Sequence, residues 1–262
     1  MYLYLLCAIV AILPNFTRVY HLHKLLYLQV MHLIKTSLIP FLKKYRTSQL
    51  VVAFMLFWIP VIIFLSIAGE ILERQPIVLD VQILTWIHAG STPVLDAFFL
   101  FITSLGNAQY MLPITMLVIL YLVYKGQRLN ALIVTFGVGG AAAANLVLKL
   151  LFHRDRPTFW HSLITETGYS FPSGHAMLSS ALILCIIALL WKTKWRTVSI
   201  VLGTGIVGLI SYSRLYLGVH YPTDIVAGWS VSLLWVGLVL VVVEFVSIGY
   251  IKRRKHIPFI KR

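Results

Sequence analysis

The sequence predicts an all-α fold, an integral-membrane bundle of six transmembrane helices with additional short interfacial helices. Composition is the first observation behind that prediction. Of 262 residues, 60% are hydrophobic and 11% charged, against roughly 25% charged in an ordinary soluble domain. The mean hydropathy of +0.89 is equally foreign to a disordered chain, which fails to bury enough apolar surface to offset its ordering entropy. The second observation is a set of six runs, 48–68, 107–124, 130–152, 173–191, 197–216 and 224–247, each near the ~20 apolar residues that a spanning helix needs. The third is the placement of charge. The net charge is +14, but the Lys and Arg residues lie between the apolar runs, a membrane-topology pattern rather than a nucleic-acid footprint.

Taken from the N-terminus, Met1–Leu13 is apolar but short, and Pro14-Asn15 ends it. It lacks a basic leader and a small-residue cleavage site, so no signal peptide is expected. His21–Lys44 mixes His, Lys, Leu and Tyr as an interfacial amphipathic helix does, and an alternative is that translation starts at Met31. After the first span come an amphipathic segment around Trp86 and Ile87 and a separate short helix over 94–106, stopped by Ser104-Leu105-Gly106-Asn107. The loops 125–129 and 192–196 are short and polar, which makes the helices they join antiparallel neighbours. No repeat, heptad or Gly-rich linker divides the chain. The expected organisation is an N-terminal extension, 1–47, cytoplasmic or interfacial; a membrane domain, 48–247; and a basic cytoplasmic tail, 248–262. Cys7 and Cys185 sit far apart in apolar stretches and read as small apolar residues.

With the segment before residue 48 inside, all but five of the 22 Lys and Arg residues fall on the inner side. The five are Arg74, Lys149, Arg154, Arg156 and Arg214. The positive-inside rule then makes both termini cytoplasmic.

Four of those outer cations belong to three short polar segments, all assigned to the outer face. Lys149 to Pro157 ends the third span, Pro172-Ser173-Gly174-His175 opens the fourth, and Ser213-Arg214, His220 and Asp224 run from the fifth into the sixth. Ionisable groups at a membrane are costly and are functional candidates by default. Lys149, Arg156 and Arg214 repel one another unless an anion sits between them, and a phosphate suits guanidinium forks. Ser173 and Gly174 open a helix, where free N–H groups and the dipole favour an anion. His220 and Asp224, four apart, can form a pair in which the carboxylate fixes the tautomer and leaves the other ring nitrogen free to attack. His175 is suited to protonating a leaving oxygen. Such a set performs phosphoryl transfer without a metal or other cofactor.

The pattern Lys-x6-Arg-Pro, Pro-Ser-Gly-His, Ser-Arg-x5-His-x3-Asp resembles the three-part signature of the type 2 phosphatidic acid phosphatase family, over roughly residues 48–247. The resemblance implies a metal-independent lipid phosphatase working through a phosphohistidine on His220, with Asp224 behind it and His175 as general acid. Lys149, Arg156, Ser173, Gly174 and Arg214 would hold the phosphate. It implies a phosphorylated lipid in the bilayer as the partner, with undecaprenyl diphosphate, phosphatidylglycerol phosphate and phosphatidic acid as candidates, and a site at the extracellular or periplasmic face of the cell membrane. Nothing in the sequence points to nucleic acid or reads out an oligomeric state. Alternatives are a phosphotransferase of the same family and a non-enzymatic binder of anionic lipid; vanadate-dependent haloperoxidases share the residues but are soluble.

Other polar residues carry plainer expectations. Arg154 and Asp155 form a local pair or support the pocket. His153 and His161 are solvated. Glu166 is a solvated loop acid, with approach to the cations as the alternative. Tyr216 and Tyr221 are membrane-belt residues. His21, His23 and His32 show no metal-ligand spacing. Lys252-Arg253-Arg254-Lys255 anchors the tail on the inside.

Overall fold

The computed structural model describes residues 16–33, 35, 39, 47–73 and 77–255, and among them there are nine helices and no strand. They are α1 (Phe16–Leu33), α2 (Thr47–Leu72), α3 (Val78–Ala89), α4 (Pro93–Leu105), α5 (Ala108–Tyr124), α6 (Arg128–Phe152), α7 (Gly174–Leu190), α8 (Arg196–Tyr216) and α9 (Pro222–Lys255). Val52–Val243 forms one compact unit, which holds the site. Helix α1 belongs to a second unit, in which Leu25, Leu26, Tyr27 and Leu28 are exposed. The predicted interfacial helix over 21–44 is helical as far as Leu33. Most of its remainder, with Cys7, Arg74 and the tail beyond Lys255, lies outside the described residues.

Among the described residues, four stretches are long and apolar enough to cross a membrane: Val51–Leu72, Arg128–Phe152, Arg196–Tyr216 and Pro222–Ser247. The short helix predicted over 94–106 is α4; it meets α5 at a bend of 44°, and the two together have the length of a broken span. Helices α5 and α7 have 17 residues each, fewer than the predicted runs. The lipid-facing character shows in the side chains, for Phe57, Leu65, Leu117, Phe136, Val201 and Val241 are all exposed.

Helix α7 packs against both α6 and α8, and α8 in turn against α4 and α3. One core joins Met111 and Leu122 of α5, Val134 and Ala141 of α6, Met177 and Cys185 of α7, and Val236 of α9. Cys185 is buried there as the small apolar residue predicted. Gly137 makes that approach possible, since a Cβ would lie 2.5 Å from Cys185 Sγ; small residues bring helix backbones together where lipid supplies no hydrophobic drive. A second core, Ile87, Phe99, Ile102, Ile210, Tyr216 and Leu217, joins α3, α4 and the end of α8.

Three terminations position the chemistry. Helix α6 ends at His153 in the left-handed region, φ 46°, which turns the chain into the 154–173 loop. That loop is closed at its base by Ser170 N–H donating to Arg154 O at 2.8 Å. Gly218, φ 68°, makes the turn out of α8, where an added Cβ would also lie 2.6 Å from Trp160 Nε1. Pro222 opens α9, where its missing N–H costs nothing.

Candidate active site

The three motif segments meet where α6 and α8 end and α7 and α9 begin. Ser173 N–H donates to the carbonyl of Asp224 at 3.1 Å, tying the starts of α7 and α9 together. Gly228 keeps that contact close, because a Cβ there would lie 3.1 Å from Ser173 O.

His220 is buried and its Nδ1 lies 3.2 Å from Asp224 Oδ2. On the other side, Arg156 Nη1 lies 3.2 Å from His220 Nε2. A guanidinium has only donors, so Nε2 is the acceptor and the ring proton sits on Nδ1, donated to Asp224. Burial and the charges of Arg214, Arg156 and Lys149 hold His220 well below the ordinary histidine value of 6.5, which keeps the imidazole neutral. Asp224 is fully engaged: Oδ2 also accepts from Tyr221 N–H at 2.9 Å, and Oδ1 accepts from Arg154 Nη1 at 2.5 Å.

The cations are held in different ways. Arg156 donates from Nε to Gly168 O at 3.0 Å and from Nη1 to Val219 O at 2.9 Å. Arg214, with no exposed surface, donates from Nη1 to Thr103 Oγ1 at 2.7 Å and from Nη2 to Glu166. Lys149, half-buried, makes no hydrogen bond or ion pair among the described residues, yet lies where the charges of Arg156, Glu166, Asp224 and Arg214 act on it. Among the described residues, two buried side-chain polar atoms lack a hydrogen-bond partner, Arg214 Nε and Ser173 Oγ, and both belong to the motifs. Buried donors are nearly always satisfied, and an unpaired one is costly. A phosphate oxygen is the kind of acceptor either donor could take.

His175 Nε2–H donates to Asn107 Oδ1 at 2.8 Å, leaving Nδ1 as its free nitrogen. The ring passes over Gly106, where a Cβ would lie 2.6 Å from His175 Cδ2. Asn145, inside α6, donates to Pro172 O at 3.0 Å and lies 3.2 Å from where a Cβ on Gly174 would be, so it fixes the turn that opens α7.

Lys149, Arg156, Ser173, Gly174, His175, Arg214, His220 and Asp224 thus gather at one place. Several neighbouring expectations change. Glu166 is no free loop acid: its carboxylate bonds Arg214, with Arg156 Nη2 at 3.7 Å. Although burial works against ionisation, the charges of Arg214, Arg156 and His175 hold it below the ordinary glutamate value. Tyr216 is not a belt residue; it is buried and its hydroxyl donates to Asp96 Oδ1 at 2.6 Å. Tyr221 is half-buried, its ring 4.0 Å from the guanidinium of Arg154. Arg154 takes the supporting alternative, bonding Asp224 and also Asp80 on α3, with Nη2 to Oδ2 at 2.7 Å. His153 and His161 are exposed as predicted.

Sequence reading missed Asp80, Thr103, Asn107 and Asn145. Only Asn145 carried a signal of its own, as a lone amide inside an apolar run. Among the described residues no group of three or more His, Cys, Asp and Glu side chains is arranged to hold a metal ion.

The profile of the PAP2 superfamily matches residues 130–247. An undecaprenyl-diphosphatase of Sulfolobus acidocaldarius is 29% identical over 205 residues, covering 75% of this chain and 94% of that protein. Phosphatidylglycerophosphatase B of Bacillus subtilis is 32% identical over 138 residues, 51% of this chain and 68% of that protein. Among solved structures, a transmembrane PAP2 type phosphatidylglycerolphosphate phosphatase from Bacillus subtilis superposes with a TM-score of 0.63 at 27% identity, over 73% of this chain and 96% of that one. On the agreement of motifs, fold and relatives, the chain belongs to the PAP2 superfamily, a family of phosphatases, and is a multi-pass membrane protein.

Proposed function

We propose that this protein hydrolyses the terminal phosphate of a lipid phosphate or diphosphate, such as undecaprenyl diphosphate, phosphatidylglycerol phosphate or phosphatidic acid, through a phosphohistidine. The observation that carries this reading is His220, a neutral buried imidazole with its proton on the Asp224 side and its Nε2 lone pair turned toward Arg156. The unpartnered Arg214 Nε and Ser173 Oγ supply further donors for a phosphate oxygen.

In the first step His220 Nε2 attacks phosphorus, the P–O bond to the lipid breaks, and the departing oxygen takes a proton from Nδ1 of His175. Asp224 stabilises the positive charge that develops on His220. The dianionic headgroup favours the protonated form of His175 before that step. In the second step water attacks phosphorus, its proton passes to His175, the N–P bond breaks, and inorganic phosphate leaves. Lys149, Arg156, Arg214 and the N–H groups opening α7 stabilise the equatorial oxygens, the role a metal plays in other phosphatases.

The membrane arrangement that goes with this function has six spans, with α5 and α7 counted among them, both termini cytoplasmic and the site at the outer face. The membrane domain is 48–247, flanked by the extension 1–47 and the tail 248–262. Seventeen residues of helix rise about 25 Å against a hydrocarbon core of about 30 Å. The shortness of α7 suits a helix whose N-terminus is recessed to meet a headgroup phosphate.

Purified protein in detergent, offered a panel of phosphorylated lipids, is expected to release inorganic phosphate. His220→Ala should lose turnover while still inserting and folding, and EDTA should leave the wild-type rate unchanged. Retained turnover in His220→Ala overturns the nucleophile, a phosphorylated lipid as product points to a phosphotransferase, and loss of activity in EDTA points to a metal enzyme.

A further inference from the structure

Asp80 lies outside all three motifs, on the first turn of α3, and is 1% exposed. A buried carboxylate is costly unless it is paired and hydrogen-bonded, and every contact of this one leads toward Asp224. Oδ1 accepts from Thr223 N–H at 3.0 Å; Oδ2 accepts from Thr223 Oγ1 at 2.5 Å and from Arg154 Nη2 at 2.7 Å. Thr223 N–H is one of the groups left unpaired at the start of α9, so Asp80 caps from another element the helix that carries Asp224. Arg154 is held between the two carboxylates, its Nη1 on Asp224 Oδ1 at 2.5 Å and on Thr223 Oγ1 at 2.8 Å. The ring of Tyr221 covers it.

Charge accounting gives this arrangement a role. Asp224 paired with Arg154 alone would sum to zero and offer little to a positive charge developing on His220. With Asp80 included, the group behind His220 sums to −1. The need is acute because the strongest other charges acting on His220 are mostly cationic, Arg214, Arg156 and Lys149 with Glu166 opposing them; His175 is also within electrostatic reach.

We propose that Asp80 is a positioning residue for phosphoryl transfer, which through Arg154 keeps the Asp224 carboxylate anionic in effect and in register behind His220. This inference rests on the reading of His220 as the nucleophile. Asp80→Asn tests it, because the amide oxygen still accepts from Thr223 N–H while the charge is removed.

With purified protein and a lipid phosphate in detergent, kcat is expected to fall on the order of tenfold with KM within about twofold, and the acid limb of kcat/KM to move down by about half to one pH unit, as suits one charge removed across a partly polar interior. A merely structural role would lower activity without moving the limb, and either that result or a wild-type profile overturns the proposal. Should Asp80→Asn fail to fold, Asp80→Glu and Asp80→Gln make the same comparison at matched length, and coincident limbs refute it. The underlying reading is checked in parallel. Turnover by His220→Ala would remove the nucleophile itself, whereas an inactive His220→Ala beside an unshifted Asp80→Asn removes only the role of Asp80.

Discussion

If Arg156 and Arg214 hold the substrate phosphate as proposed, Glu166, which is bonded to one and close to the other, would compete with it. Its carboxylate bonds Arg214 Nη2 and lies 3.7 Å from Arg156 Nη2, with 27% of the side chain exposed against none for Arg214. A hydrogen bond to a charged group contributes about 1.5–3 kcal/mol, and Glu166→Gln keeps such a bond to the Arg214 guanidinium. What it removes is the attraction between opposite charges, about 1–1.4 kcal/mol, a little above the ~0.2–1 kcal/mol of a fully exposed pair because Arg214 is buried while the carboxylate is partly in water. At 1.4 kcal/mol per tenfold, orthovanadate and inorganic phosphate should inhibit the variant at roughly five- to tenfold lower concentration. The assay is inhibition of phosphate release at fixed ionic strength, wild type beside Glu166→Gln. An unchanged or raised inhibition constant would show that Glu166 helps to build the anion site rather than compete for it, and the reasoning would fail.

Two further outcomes follow from the geometry. Gly106→Ala places a Cβ 2.6 Å from His175 Cδ2 and 2.7 Å from Ile210 Cγ2, so the imidazole must leave Asn107; kcat should fall on the order of a hundredfold, as misplacement by about 1 Å does, and kinetics beside thermal melting in detergent separate this from unfolding. In the proposed mechanism the attacking form of His220 is neutral, and burial with three neighbouring cations depresses its pKa. That form therefore persists as pH falls, and the acid limb of kcat/KM, corrected for ionisation of the substrate, should lie below 6.5; a limb at or above that value contradicts the depressed, neutral His220 as nucleophile.

The motif residues were legible in the sequence because each sits at a helix end where an ionisable group is conspicuous against an apolar chain. Their partners were not. Arg214 reads as a phosphate ligand from its neighbours, but its bond to Thr103 spans 111 positions, and nothing local marks that threonine. Tyr216 beside a helix end has the appearance of an interfacial tyrosine; only the fold brings Asp96, 120 residues earlier, to its hydroxyl. Nothing local singles out Asp80, and Asn107 reads as part of a stop signal. The long helices followed from hydrophobic run length, and the break between α4 and α5 from the Ser104-Leu105-Gly106-Asn107 stop, whose Gly106 and Asn107 also form the seat of His175.

Arg156 is collared by main-chain carbonyls, those of Gly168, Val219, Thr167 and Tyr169. A guanidinium tethered to the backbone on so many sides is a fixed post and not a reaching arm. In the proposed role it would offer a bound phosphate a positive charge at a fixed place and could not follow a headgroup of different shape. On that reading, preference among lipids would be decided before the phosphate docks, by which tails and headgroups the surrounding helices let through to the post.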